Sequence, residues 1–422
     1  MAEPAAPQVT AATLLRHPRL WLVPAILTGL LSLLLSLLYM GGIVNPNQDL
    51  HDLPIALVNE DIGKPPAGQS ENLGAQVTAS IAADTGGGKA DWRTLSLARA
   101  QEQLDSGRIY GALVVPAGFT DDVTALTTSG ATRKPTITVL TNPGKGSLGS
   151  SLATQITTKA AHAASQTVGR QLTAAAGAQA SPTVELLLAD PVNVITQVGH
   201  PIGTRSGLGL TAFYYTLLLV LAGFMGGNVI SNGVDTALGY ADNEIGPWHT
   251  RRPTVPVDRT QTLLLKMVMT AGITLLSASL VLLSCVTLLG MDASHLPLLW
   301  IYSYCAALAV GLGVQAINAA FGGIGQLVSM FVFIVLGLPS SGATVPLQAV
   351  PAFYRFLSHF EPMRQLSDGV RAILYFDARG DAGLTRSWVM IAIGTALALL
   401  FGFAMTAYYD RKGHKRLTPQ PA

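Results

Sequence analysis

The chain is short of charge. Only 12% of its 422 residues are Asp, Glu, Lys or Arg, against 49% apolar, and a soluble domain usually carries about twice that charge. The formal net charge of +2 is too small for a nucleic-acid partner, and no basic block stands outside the flanks of the apolar runs. Cysteine is nearly absent. Cys285 and Cys305 both fall inside apolar runs, where they read as small core residues, and no cysteine framework exists to staple an exposed domain. Neither His-Glu-x-x-His nor a metal-spaced Cys/His cluster is present. No Gly-x4-Gly-Lys-Ser/Thr run occurs; Gly86-Gly87-Gly88-Lys89 is followed by Ala90 and lacks the phosphate-loop spacing. Gly149-Ser150-Ser151-Leu152-Ala153 half-matches a nucleophile elbow, has no nameable partners, and reads as a helix start. Asn142-Pro143-Gly144-Lys145-Gly146 reads as the connecting turn before it. These absences point to a chain that is not an enzyme, needs no cofactor or metal, and carries no motor of its own.

What is there is apolar length. Six runs stand out, at 21–43, 208–231, 262–290, 297–319, 323–341 and 387–409, and a stretch of about 20 apolar residues crosses a bilayer. The layout predicts a polytopic α-helical membrane protein with one span, an inserted domain, then five spans. The expected parts are a cytoplasmic segment 1–20, a first span 21–43, an extracytoplasmic α/β domain 44–207 with one long helix, a five-span membrane domain 208–410, and a tail 411–422. Within the membrane domain, 232–261 is a cytoplasmic loop and 342–386 an extracytoplasmic amphipathic segment. The first run is too long for a cleaved signal and reads as an anchor. Arg16 and Arg19 precede it, Arg251, Arg252, Arg259 and Lys266 follow the second span, and Arg411, Lys412, Lys415 and Arg416 follow the last. The positive-inside rule then places both termini in the cytoplasm of a plasma-membrane protein. Abundant Ala, with Arg outnumbering Lys, is the bias of a high-GC bacterial genome.

One segment conflicts with that count. Arg355, Arg364, Arg371, Arg379 and Arg386 fall between the fifth and sixth spans, on the side where basic residues are disfavoured. A missed or re-entrant span would remove the conflict. Apolar residues at helical spacing across 351–376 predict one or two amphipathic helices at the membrane surface. Pro339 to Pro346 is a breaker-rich link able to dip into the bilayer where protein buries it.

The inserted domain alternates strand and helix, the pattern of a sheet covered by helices. Strands are expected at 53–58, 108–115 and 136–140, and helices near 70–83, 97–104, 118–128 and 147–178. The six runs contain no acid and no His, and Lys266 sits at an end. A proton-driven carrier normally places such groups inside its spans, so any transport points to an external motor. The polar residues that remain, Asn228, Gln315, Asn318 and Gln326, suit helix packing or a pathway. Gly223-x-x-x-Gly227 and Gly322-Gly323-Ile324-Gly325 allow helices to approach closely.

Leu53 to Asp61, then Ala98-Arg99-Ala100 with Leu104 and Gly107, then Ile109 with Gly111 to Phe119, resembles the exposed domain of YhgE/Pip-family proteins and type-2 ABC exporter permeases. Phe213-Tyr214-Tyr215, and Leu338 to Gly342 followed by Pro346, Pro351 and Phe353, resembles the branch that includes fungal nitrosoguanidine-resistance membrane proteins. The likeness covers nearly the whole chain through the order of its elements. It implies the transmembrane subunit of an exporter that moves an amphipathic, lipid-like or toxic compound outward, in efflux or drug resistance. The same likeness implies a separate ATP-binding subunit, a dimer with itself or a similar chain, and contact with membrane lipid. Asp242, Glu244, Arg251 and Arg252 fall on the loop that docks the ATPase in such permeases, although basic residues there also satisfy the inside-positive bias. The alternative is a non-transporting envelope protein, a secretion scaffold or phage receptor.

Overall fold

In a computed structural model the chain is described for residues 16, 18–66, 68–83, 87–126, 134–176, 188, 190–414 and 416. Helix α1, Pro18–Gly41, leads by a one-turn helix, Pro46–Asp49, into a sheet domain. Its elements are β1 Leu53–Asn59, α2 Leu73–Ala83, β2 Ala90–Thr94, α3 Leu97–Asp105, β3 Gly111–Val115, α4 Phe119–Ala125, β4 Thr136–Thr141, α5 Ser147–Ala176 and β5 Asn193–Val198. The strand order is β2-β1-β3-β4-β5, and only the β3–β4 pair is antiparallel. β1 is an interior strand covered on both faces, so Leu53 to Val58 reads as an unbroken apolar run. Its side chains alternate. Leu53, Ile55 and Leu57 face helices α2, α4 and α5, whereas Ala56 and Val58 pack with Ala100 and Leu104 of α3.

The acidic turn after β1 has a structural task. The Asp61 carboxylate accepts from the backbone N–H of Gly63, Gly74 and Thr120 and from the Thr120 hydroxyl, tying the starts of α2 and α4 to the end of β1. Residues 90–94 and 193–198 are strands that the sequence pattern did not announce. Both are sheet edges: β2 carries Asp91 and Arg93 outward as an ion pair, and β5 is largely exposed.

The second half is a helical bundle: α6 Thr211–Ala237, α7 Arg259–Leu282, α8 Leu296–Phe321, α9 Gly325–Met330 with further turns to Ser340, α10 Ala352–Leu357, α11 Pro362–Tyr375 and α12 Leu384–Arg411. Four described helical stretches are long and apolar enough to cross a membrane: 211–237, 259–288, 296–340 and 384–411. The third reverses at Gly322, whose φ is +59°, so that α9 runs back along α8 and a Cβ on Gly313 would lie 2.6 Å from the Phe333 ring. The chain is thus a helical membrane protein with a sheet domain inserted in it.

Close approach shapes the bundle centre. A Cβ on Gly223 would lie 2.4 Å from the Ala307 carbonyl oxygen, and one on Gly227 3.0 Å from Val314. Gly223-x-x-x-Gly227 therefore serves α6–α8 packing within one chain.

The Arg-rich segment departs from expectation. α11, expected as a surface helix, is wedged among α6, α8 and α12, with the Tyr302 hydroxyl donating to the Leu366 carbonyl at 2.9 Å. Three of the segment's five arginines bind backbone, and Arg379 pairs with Asp381. Arg371 donates to the carbonyls of Gly342 and Ala343, Arg355 to Val350, and Arg364 to Ser358. Guanidinium groups tied to local carbonyls are part of the packing. α10 keeps the expected exposed apolar side chains Phe353 and Phe356.

The sheet domain is tied to this wedge. His200 bonds Asp105 at 2.8 Å and the Tyr375 carbonyl at 2.7 Å, and stacks on Phe376. The Tyr375 hydroxyl meets Thr211 at the start of α6, and the Tyr110 hydroxyl donates to Gln348. Lys145, in the turn before α5, lies 4.8 Å from the centre of the Tyr110 ring. Burial, then the nearby Arg371 charge, pushes its amine down to about 8.

Candidate coupling site

α6 is 27 residues long, about 40 Å at 1.5 Å per residue, so its far end stands well away from the sheet domain. There the chain forms a hairpin. β6, Asn243–Ile245, pairs antiparallel with β7, Trp248–Thr250, through the two-residue turn Gly246-Pro247. Gly246 has φ +59° and proline fixes its own φ near −65°, a combination that suits a tight hairpin turn. Trp248 at the tip is 71% exposed.

Of the loop residues singled out in the sequence, Asp242 and Arg251 are brought together at 3.4 Å, with His249 3.6 Å from the same carboxylate. Glu244 is exposed and stands opposite His249 in the ladder. Arg252 is exposed, and its carbonyl lies against Gly239, where a Cβ would come within 2.6 Å. The hairpin therefore presents charges of both signs and one indole on a short, stiff projection.

Its base is anchored by a charge node that the sequence reading missed. Asp235 accepts from Lys266 at 2.9 Å and from Arg416 at 2.6 Å. Lys266 is only 7% exposed and also donates to Ser231. The expectation that the spans hold no acid, with Lys266 at an end, is thus corrected. α6 runs on to Ala237 and includes Asp235, and Lys266 lies two turns inside α7. A further acid, Glu361, is buried in the turn between α10 and α11, where it caps the Met363 N–H. The available signal was spacing: Ser231 and Asp235 are one turn apart on one helix face, opposite a lone lysine.

Neighbouring bonds complete the clamp. Asp410 near the end of α12 accepts from the N–H groups of Arg259 and Thr260, capping the start of α7 with a carboxylate from another helix. The Arg416 guanidinium stacks 4.7 Å from the Tyr240 ring, and the Tyr240 hydroxyl donates to the Val255 carbonyl at 2.7 Å. Movement of the hairpin must therefore pull on α6, α7 and α12 together.

From the node a polar line runs inward. The Thr270 hydroxyl donates to the Lys266 carbonyl, and Gln315 of α8 donates to the Thr270 hydroxyl at 3.1 Å and to the Gly227 carbonyl at 2.9 Å. Asn318 donates to Asn228 at 3.0 Å. Gln315, Asn228 and Asn318 thus tie α6, α7 and α8 to one another. Gln326 is apart from them and exposed. Among the described residues no three His, Cys, Asp or Glu side chains group as metal ligands.

Comparison with known proteins adds three findings. A family model described as a protein of unknown function, DUF3533, matches residues 24–394. The chain is 26% identical over 112 residues to the uncharacterized protein YhgE of Bacillus subtilis (strain 168), a match that covers 26% of this chain and 14% of that protein. A crystal structure from Thermotoga maritima MSB8, a domain named for an ABC type-2 transporter, aligns over 34% of this chain and 84% of its own length, at 15% identity and a TM-score of 0.24.

Proposed function

The chain belongs to the DUF3533 family, and from that premise we propose that it is the transmembrane subunit of a type-2 ABC exporter-like system driven by a separate ATPase. In this reading α1, α6, α7, α8, α9 and α12 are six spans. The hairpin and both termini face the cytoplasm, the sheet domain faces outward, and α10–α11 is a re-entrant wedge. The cargo is an amphipathic, lipid-like or toxic compound leaving the cytoplasm or membrane. Two such chains, identical or similar, form the pathway.

The observation that carries this reading is the hairpin fixed by the Asp235 node to three helix ends. A charged projection rigidly joined to the bundle can turn a partner's closure into helix movement. Trp is among the side chains enriched at the centre of such contacts.

The test is purification in mild detergent. A nucleotide-binding protein is expected to co-purify, and charge reversal of Glu244, Arg251 and Arg252 to release it. Impermeant thiol labels on intact cells should reach a cysteine at position 64 and not one at 250. If no such protein is recovered and the reversals leave export or resistance intact, the exporter reading fails and the non-transporting envelope protein stands.

A further inference from the structure

A cavity of about 430 Å³ lies between α5 and the β2 edge of the sheet domain. We propose that it binds an anionic amphiphile, with the acidic head between Lys89 and Lys159 and the apolar body against Trp92.

The cavity follows from how α5 is written. Its lining positions, Leu152, Gln155, Ile156, Lys159, Ala160, Ala163, Ala164 and Thr167, recur at intervals of three and four and so share one face of the helix. Over the middle of that face the side chains shrink to alanine, while Trp92 and Ile81 stand across from them. The space is in the size range of small-molecule sites.

Its chemistry is divided. Leu50, Ile81, Leu152 and Trp92 supply an apolar floor, and Leu50, Ile81 and Leu152 are buried. Lys89 and Lys159 supply two cations from different elements. Lys89 is held at the start of β2 because its carbonyl accepts the Leu53 N–H, and Lys159 stands on α5. Among the described residues no carboxylate lines the cavity and no ion pair joins either lysine. Lys89 and Lys159 are both exposed, and two ammonium groups beside an indole and aliphatic walls fit an acidic head joined to an apolar chain. A neutral apolar ligand would leave the lysines unused.

Location agrees. Asn47 and Leu50 line the cavity only a few residues beyond the end of α1, and Leu38 of α1 packs in the same apolar cluster as Leu152. The site therefore adjoins the end of an apolar helix whose described side chains are mostly exposed; in the exporter reading that helix is a span, and an amphiphile can arrive there from the bilayer. That the bound molecule is cargo rests on the exporter reading; the binding itself does not.

The experiment uses the full chain in detergent, titrated with oleate and with oleyl alcohol, which shares the chain and lacks the charge. Oleate should bind about tenfold more tightly, the value of one charge-assisted hydrogen bond. Lys89→Gln with Lys159→Gln should erase that preference, and Lys89→Arg with Lys159→Arg should keep it. Ala160→Leu should weaken both probes by filling the cavity. Competition by phosphatidylglycerol would identify a lipid headgroup as the source, and no competition a free amphiphile. Equal affinity for the two probes, or a preference that survives the glutamine pair, would overturn the proposal. ATPase co-purification is read separately, so failure here and failure of the exporter reading remain distinct.

Discussion

Asp235 accepts from two cations, one of them nearly buried on α7. Removing one partner of a buried ion pair costs about 3–5 kcal/mol, because the other charge is left unpaired. Asp235→Ala is therefore expected to lower thermal stability strongly, and adding Lys266→Met to recover part of the loss. A double-mutant cycle in detergent measures it, and additive losses would contradict the pairing. Lys145 supplies a pH test. In the fold its amine is pushed down to about 8, whereas the ordinary value is 10.5. Between those values the unfolded chain binds more protons, so stability rises with pH, and below about 8 both states are charged and the fold carries the full penalty. Lys145→Met should gain stability relative to wild type at pH 7 and lose that advantage by pH 10. A difference that does not change with pH would show that the amine is not strained. Asp235 did not stand out in the sequence, and Lys266 was read only as a cation at the end of a span. Asp235 lies just past an apolar run and Lys266 just inside the next, and only folding brings them within 2.9 Å.

At the scale of elements, the sequence was legible wherever burial was continuous or helical periodicity was long. β1 is expected at 53–58 and found at 53–59, and α5 is expected at 147–178 and found at 147–176. β2 and β5 were not legible because an edge strand exposes one side and needs no apolar run. Ala90 to Thr94 holds one large apolar residue, Trp92. The wedge was half legible: the amphipathic spacing of α11 is real, but its polar face meets backbone carbonyls instead of water. A direct test of element packing is Gly223→Leu. The new side chain has no room against Ala307, and overpacking costs about 1–3 kcal/mol. The variant should melt several degrees lower, while the same change at Gly226, which faces open space, should have little effect. Equal effects at both would contradict the α6–α8 contact.

For the whole molecule, the central claim is mechanical. The sheet domain is fastened to the α11 wedge through His200 and Tyr375, and the hairpin is fastened to α6, α7 and α12 through Asp235 and Asp410. α6 links the two ends, starting beside Tyr375 and finishing at the node. A partner that moves the hairpin thus acts on the same helix that carries the sheet domain. The measurement that tests this most directly places a photo-crosslinking residue at Trp248 in intact cells and identifies what it captures. The account predicts an ATP-binding protein crosslinked at position 248 and absent from the same experiment at Lys64, on the sheet domain. Capture of lipid alone at 248, or the same ATP-binding protein from both positions, would contradict it.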